Sequence, residues 1–307
     1  NTYEWVAEGV MAEKDNLQVV FFDAFPFLDG QDNGGGIQKN LYDRRRIILN
    51  HNEVYTGSSF FQQYVSKKGF LVPVWLQYVN RDFLIKNNIV FQEGILHEDI
   101  AYTFKLILLA ERIKYLPRLF YQRRIRAGSI TQGGVIEKRI EGHFSAINKM
   151  IDDLRELGTG GEITKELYYM ARLFQYSLAL GEKRQLAEKL KEMALQCIVK
   201  LQTVLRDQGT TGAYFGCMIY KAYIKQFHEE NPDIIQRFLQ YDEIVDKMRI
   251  DILQQIPLGD IRKNVAIYGT GVHTDILLKA YKRLIGDIKA HIYYINTDVS
   301  DQKMYYR

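Results

Sequence analysis

The 307 residues carry 41 Lys and Arg against 37 Asp and Glu, a net charge of +4. That balance is too mild to imply a nucleic-acid partner. A hydrophobic fraction of 47% and a charged fraction of 25% exclude a disordered chain and suit two or three globular domains.

The chain opens in a helical pattern, with Val6, Val10 and Met11 on one face. Residues 17–22 then read as a buried strand of branched and aromatic residues. Asp29-Gly30-Gln31-Asp32 follows, in a turn that continues into Gly34-Gly35-Gly36. Farther on come Tyr55-Thr56-Gly57, then Val74-Trp75-Leu76 and Arg81-Asp82-Phe83-Leu84. Trp75 fits either core packing or a stacking surface, and Asp82 is placed to pair with Arg81 or to cap the next turn.

The most informative segment is Gly94-Ile95-Leu96-His97-Glu98-Asp99, which runs into the apolar helix 100–110. An acidic pair interrupts an apolar stretch where a helix begins. Plain stabilisation of the helix N-terminus explains such a pair, and so does a reactive carboxylate held as an anion by the helix dipole. After Pro117 comes a strand ending in Tyr121-Gln122-Arg123-Arg124-Ile125-Arg126, then Ala127-Gly128-Ser129-Ile130-Thr131. Strand alternation sends Arg123 and Arg124 to opposite faces. An acidic helix start followed by an arginine-rich loop suits chemistry on an anionic substrate.

From residue 136 to about 255 the pattern is helical, with apolar residues at three- and four-residue steps. Gly158-Thr159-Gly160-Gly161, Gly209-Thr210-Thr211-Gly212 and Asn231-Pro232 punctuate it. Cys197 and Cys217 both fall there in apolar surroundings and read as buried thiols of a reducing compartment. Near the end, Asn264-Val265-Ala266-Ile267-Tyr268 reads as a strand, Gly269-Thr270-Gly271 as a tight turn and 275–285 as a helix, with a second strand at 290–296. Gly269, Gly271 and His273 make a weak nucleotide-binding fingerprint, because Thr274 occupies the third glycine position. A packing module fits the same residues. No apolar run approaches the ~18 residues of a membrane span, and no signal peptide is visible.

The chain resembles the family 2 glycosyltransferases, in particular bacterial enzymes that build capsular and surface polysaccharides. Those enzymes often read Gly-Ile-Leu-His-Glu-Asp, an apolar helix, Tyr-Tyr-Arg-x-Arg or Tyr-Tyr-Arg-x-His, and Ser-Ile. Gly94 to Asp99 and Tyr121 to Thr131 follow that pattern, with further likeness in Val19-Val20-Phe21-Phe22-Asp23 and in 74–84. The likeness covers roughly the first 130 residues. It implies that Asp99 is the catalytic base, that Glu98 orients the acceptor or braces the loop, and that His97 caps the helix or hydrogen-bonds Asp99. It places Arg123, Arg124, Arg126 and Ser129 at the donor diphosphate, and Trp75 and Arg81 beside the acceptor.

The resemblance also implies a nucleotide-diphosphate sugar donor, a glycan or lipid-linked acceptor, and a cytoplasmic location at the inner face of the cell membrane with peripheral attachment. A divalent cation, Mn or Mg, belongs to the family. Its Asp-x-Asp motif has no counterpart here, and Arg126 stands where many relatives place a metal-binding His. Arginine cannot ligate a cation, so no metal ligand is assigned in this chain. The expected organisation is α/β: the C-terminal half of a GT-A-like domain over 1–132, a helical domain over 133–260 and a partial Rossmann-like βαβ unit over 261–307. The missing motif and the lone βαβ unit both suggest an excerpt of a longer protein. A non-catalytic scaffold and an NAD-binding oxidoreductase are the competing readings. The latter is weakened by the lack of a Tyr-x-x-x-Lys motif after the glycine turn.

Overall fold

The computed structural model describes residues 16–28, 52–66, 72–125, 135–158, 163–181, 186–268, 272–295 and 305–306. The chain is a mixed α/β protein. Its first sheet has β1 (Val19–Leu28) and β4 (Ile113–Ile125) as a parallel central pair. Two short antiparallel strands flank that pair: β2 (Val54–Tyr55) beside β4, and β3 (Gln77–Val79) beside β1.

Val19, Val20, Phe21 and Phe22 are all buried, because both faces of the central strand are covered. Phe21 stacks on Phe60 of α1 (Gly57–Ser66), with ring centroids 4.9 Å apart. Phe22 on the opposite face meets Tyr78 and Phe120. Between Phe21 and Ala24 the pairing with β4 slips. Pro117 lies in the unpaired stretch of β4, where its missing N–H costs no ladder bond. Asp23 is fully buried at this bulge and accepts a 2.5 Å hydrogen bond from the Tyr115 hydroxyl.

The short helix α2 (Arg81–Lys86) leads through a loop to α3 (Glu98–Leu109), which bears the acidic pair. Asn80, rather than Asp82, caps α2 by accepting from the Phe83 amide at 3.0 Å. Five longer helices follow: α4 (Ile136–Glu156), α5 (Thr164–Leu180), α6 (Glu188–Leu205), α7 (Gly209–Phe227) and α8 (Pro232–Gln254). The Gly209–Gly212 segment expected as a turn opens α7, and only Gly209, at φ 52°, breaks the chain there. Asn231 and Pro232 start α8 as expected, the Asn side chain accepting from the Asp233 amide.

Helix α3 lies between α1 and α4. Phe61 and Phe104 meet edge to face at 5.5 Å. On the other side the fully buried Asp153 carboxylate of α4 takes Lys149 at 2.6 Å and Lys105 of α3 at 3.5 Å. One apolar core runs without interruption from Val19 through Ile100, Phe104, Phe144 and Phe174 to Tyr223 and Ile234. Cys197 and Cys217 are buried, unbridged thiols.

A second sheet closes the chain. β5 (Asn264–Tyr268) pairs in parallel with β6 (His291–Ile295) through α9 (Val272–Leu284), as the βαβ pattern requires. An antiparallel β7 (Tyr305–Tyr306), not expected from the residue pattern, pairs with β6. This unit has its own small core of Leu253, Leu258 and Tyr281. Arg283 ties it to Asp246 of α8 at 2.9 Å.

Candidate functional site

The site is built at the N-terminus of α3. The approach loop needs three left-handed residues, Asn88, Gly94 and His97, with φ of 47°, 76° and 65°. Phe91 pins it by stacking on Tyr102 of α3, with centroids 4.2 Å apart and planes 13° from parallel. Helix α4 closes from above. A Cβ on Gly142 would overlap the Leu96 carbonyl, so only glycine allows this approach of α4 to the loop.

Glu98 and Asp99 occupy the first turn of α3, Glu98 exposed and Asp99 mostly buried. Burial, reinforced by the Glu98 charge, pushes the Asp99 carboxyl up to about 6. The nearby amides of Asp99 and Ile100 pull the other way and only partly offset it. Desolvation outweighs these amides, so the carboxyl titrates just below neutrality and is still ionised at neutral pH. Tyr169 of α5 senses the same carboxylate: burial, then the Asp99 charge, holds its hydroxyl far above the ordinary tyrosine range. Tyr169 was not foreseen. Nothing local marks it among its helical neighbours, and only the packing of α5 brings it near.

His97 is the N-cap residue of α3, but its side chain makes no capping bond. Its ring lies against that of His143 of α4, 4.4 Å between centroids and tilted 35°. Burial, then nearby Arg139, holds its pKa below the usual value, against the opposing Glu98 charge. His97 thus takes the N-cap position by its backbone, and its ring contact is with His143.

The Trp75 segment reaches the same face of α3. Thr103, one helical turn beyond Asp99, donates to the Val72 carbonyl at 2.8 Å and accepts from Gln77 at 3.4 Å. Trp75 is half-buried, its ring 4.8 Å from that of Tyr121 and tilted 30° to it, with the Arg123 guanidinium 5.5 Å over its ring. Arg123 is partly buried, which lowers its pKa, while Arg124 is exposed on the other face of β4. The alternation read from the sequence holds. Arg81 is exposed at the first position of α2. Arg126, Ser129, Thr131, Gly269 and Gly271 lie outside the described residues, as does the His273 side chain.

A cavity of about 1080 Å³ lies elsewhere, along α7 between Leu186, Phe238 and Arg283. Three of its cations are already paired, Lys191 with Glu229, and Arg249 and Arg283 with Asp246. The start of α3, with its left-handed approach loop and the raised pKa of Asp99, is the better candidate for chemistry.

Over 109 residues the chain is 26% identical to a protein of Escherichia coli (strain K12) described as the uncharacterized glycosyltransferase YibD. The match covers 34% of this chain and 32% of that protein, so it spans about one-third of the relative's length. No family model matches the chain, and no solved structure does.

Proposed function

We propose that the protein is a glycosyltransferase of the family 2, surface-polysaccharide type. It moves a sugar from a nucleotide-diphosphate donor to a hydroxyl of a glycan or lipid-linked acceptor. The observation that carries this reading is the Asp99 carboxyl, partly buried at the start of α3 with its pKa raised to about 6. The similarity to the Escherichia coli glycosyltransferase supports the reaction class.

In the proposed step the acceptor hydroxyl gives its proton to Asp99 as its oxygen bonds the anomeric carbon. The bond from that carbon to the diphosphate oxygen breaks, and the nucleoside diphosphate leaves with the electron pair. Single displacement inverts the anomeric centre. A base with a pKa near 6 is ionised at neutral pH yet takes a proton more readily than an ordinary aspartate. Glu98, exposed beside it, raises that pKa by its charge and is placed to orient the acceptor. Arg123, Arg124 and Arg126 supply guanidinium charge for the leaving diphosphate, with Ser129 as a hydroxyl donor. Trp75 and Arg81 are assigned to the acceptor side.

Among the described residues no three of His, Cys, Asp and Glu converge. The steps above involve only the chain's own groups. Among the described residues no helix is long and apolar enough to cross a membrane. A lipid-linked acceptor would be met by peripheral contact.

The test compares wild type with Asp99→Asn against a panel of uridine and other diphosphate sugars, following nucleoside diphosphate release and sugar transfer. Transfer is expected to fall about 10²- to 10⁴-fold, with the circular dichroism spectrum unchanged. Undiminished transfer by the variant would remove Asp99 from the role of base. Binding of NAD in place of any diphosphate sugar would overturn the reaction class.

A further inference from the structure

His97 sits at φ 65°, a left-handed conformation that non-glycine residues adopt uncommonly. Its own side chain makes no capping bond, so the turn that presents Glu98 and Asp99 must be held from outside. The outside support is α4, at two consecutive residues. Gly142 meets the Leu96 carbonyl. His143 lays its ring against that of His97.

His143 is itself fixed. It is 3% exposed, and its Nδ1 lies 3.0 Å from the Oγ of the fully buried Ser177 in α5. The Ser177 hydroxyl proton is committed, since Oγ donates to the Leu173 carbonyl at 2.6 Å. Ser177 therefore accepts, and the proton on the imidazole sits on Nδ1. Tyr176 of α5 packs near the same ring at 5.8 Å. Protonation is opposed chiefly by burial, then by His97 and Arg139, which hold the His143 pKa at about 3. The imidazole keeps one tautomer and one orientation throughout the neutral range.

We propose that His143 is a positioning residue for Asp99: through its Nδ1–H bond to Ser177 and its ring contact with His97, it fixes the left-handed turn that aims the carboxyl. The proposal rests on Asp99 being the base, and it deepens that reading by naming the support. His143 touches neither substrate. It acts through His97.

The experiment uses His143→Phe, which keeps a ring and removes the donor, Ser177→Ala, which removes the acceptor, and His143→Asn, whose amide can donate from near the Nδ1 position. Two readouts are taken on the full protein. The first is kcat and KM for transfer. His143→Phe and Ser177→Ala are expected to lower kcat by about tenfold to a hundredfold with KM within about twofold, because a small misplacement of the base weakens the chemical step. His143→Asn is expected to recover part of that loss. The second is the titration of the Asp99 carboxyl by ¹³C NMR, which requires no activity. Its midpoint is expected to move in the first two variants and return toward wild type in the third.

Reduced melting temperature with unchanged kcat and an unchanged Asp99 titration would make His143 a plain core histidine and overturn the proposal. If the wild type transfers no sugar, the proposed function fails, yet the carboxyl titration still decides whether His143 governs Asp99.

Discussion

Asp99 is held partly out of water beside another carboxylate, and that position has consequences for both rate and stability. The general base must be ionised, so transfer should fall as pH drops through about 6. An ordinary aspartate would keep its activity down to about pH 4. A pH–rate profile with its acid limb below pH 5 would place the base elsewhere. The stability effect has the opposite sense. The folded carboxyl binds its proton more tightly than the unfolded one, whose value is near 3.8. The native state is therefore penalised as pH rises through the window from about 3.8 to 6, and the penalty is complete above it. Asp99→Asn removes that penalty, so the inactive variant should be more stable than wild type at pH 7, by about 3 kcal/mol at most. The gain should vanish below pH 4. Urea melts at the two pH values check it, and a variant less stable at pH 7 would contradict the burial argument. The acidic pair was legible in the sequence because polar residues broke an apolar run at a helix start. The raised pKa was not, because its largest cause is burial by elements that the fold packs around the start of α3.

Helix α3 is placed by two glycines on other elements. Gly57 at the start of α1 lies so close to α3 that a Cβ would overlap the Ile107 carbonyl, and its amide donates to the Ala110 carbonyl at 2.7 Å. Gly142 of α4 does the same at Leu96, just before the helix. Gly142→Ala must therefore push α4 from the loop that carries the acidic pair. It is expected to cost about 1–3 kcal/mol and to depress transfer by more than the loss of folded protein explains. Gly94→Ala is the control, since nothing lies near its missing Cβ. There only the left-handed φ is penalised, by about 1 kcal/mol. Equal effects on stability and rate in the two variants would show that close approach is not what positions the helix. The apolar stripes of α4 to α8 were readable in advance, because three- and four-residue spacing belongs to each helix alone. Which helices touch, and that Gly142 and His143 meet the Leu96–His97 turn, belongs to pairs of elements distant in the chain.

At the scale of the whole chain, the core fuses the first sheet with the helices that follow it. Phe61 of α1, Phe104 of α3 and Tyr169 of α5 pack in one chain of contacts, and the ion pair of the partly buried Lys105 with the buried Asp153 crosses from α3 to α4. The sequence divides near residue 132 because its periodicity changes there, but periodicity describes which face of an element is apolar, not what covers it. The C-terminal unit has a different packing. Among the described residues its buried core is Leu253, Leu258 and Tyr281, with Ile256, Val265, Leu277 and others only partly covered. So few buried side chains stabilise a unit weakly. Amides of β5 and β6 should then exchange with solvent through local opening, well before those of α3, whose Phe104, Leu106 and Ile107 are fully buried in the main core. Leu258→Ala sharpens the test, because Leu258 is fully buried and its carbonyl accepts the Lys289 and Ala290 amides. Removing that side chain should cost about 2–5 kcal/mol in the unit that contains it. Native-state hydrogen exchange followed by mass spectrometry is expected to show protection falling across β5, α9 and β6 while α3 and α4 keep theirs. Protection lost equally from α3 would mean that the last sheet and the site-bearing core unfold as one, and a substitution near residue 258 would then reach Asp99.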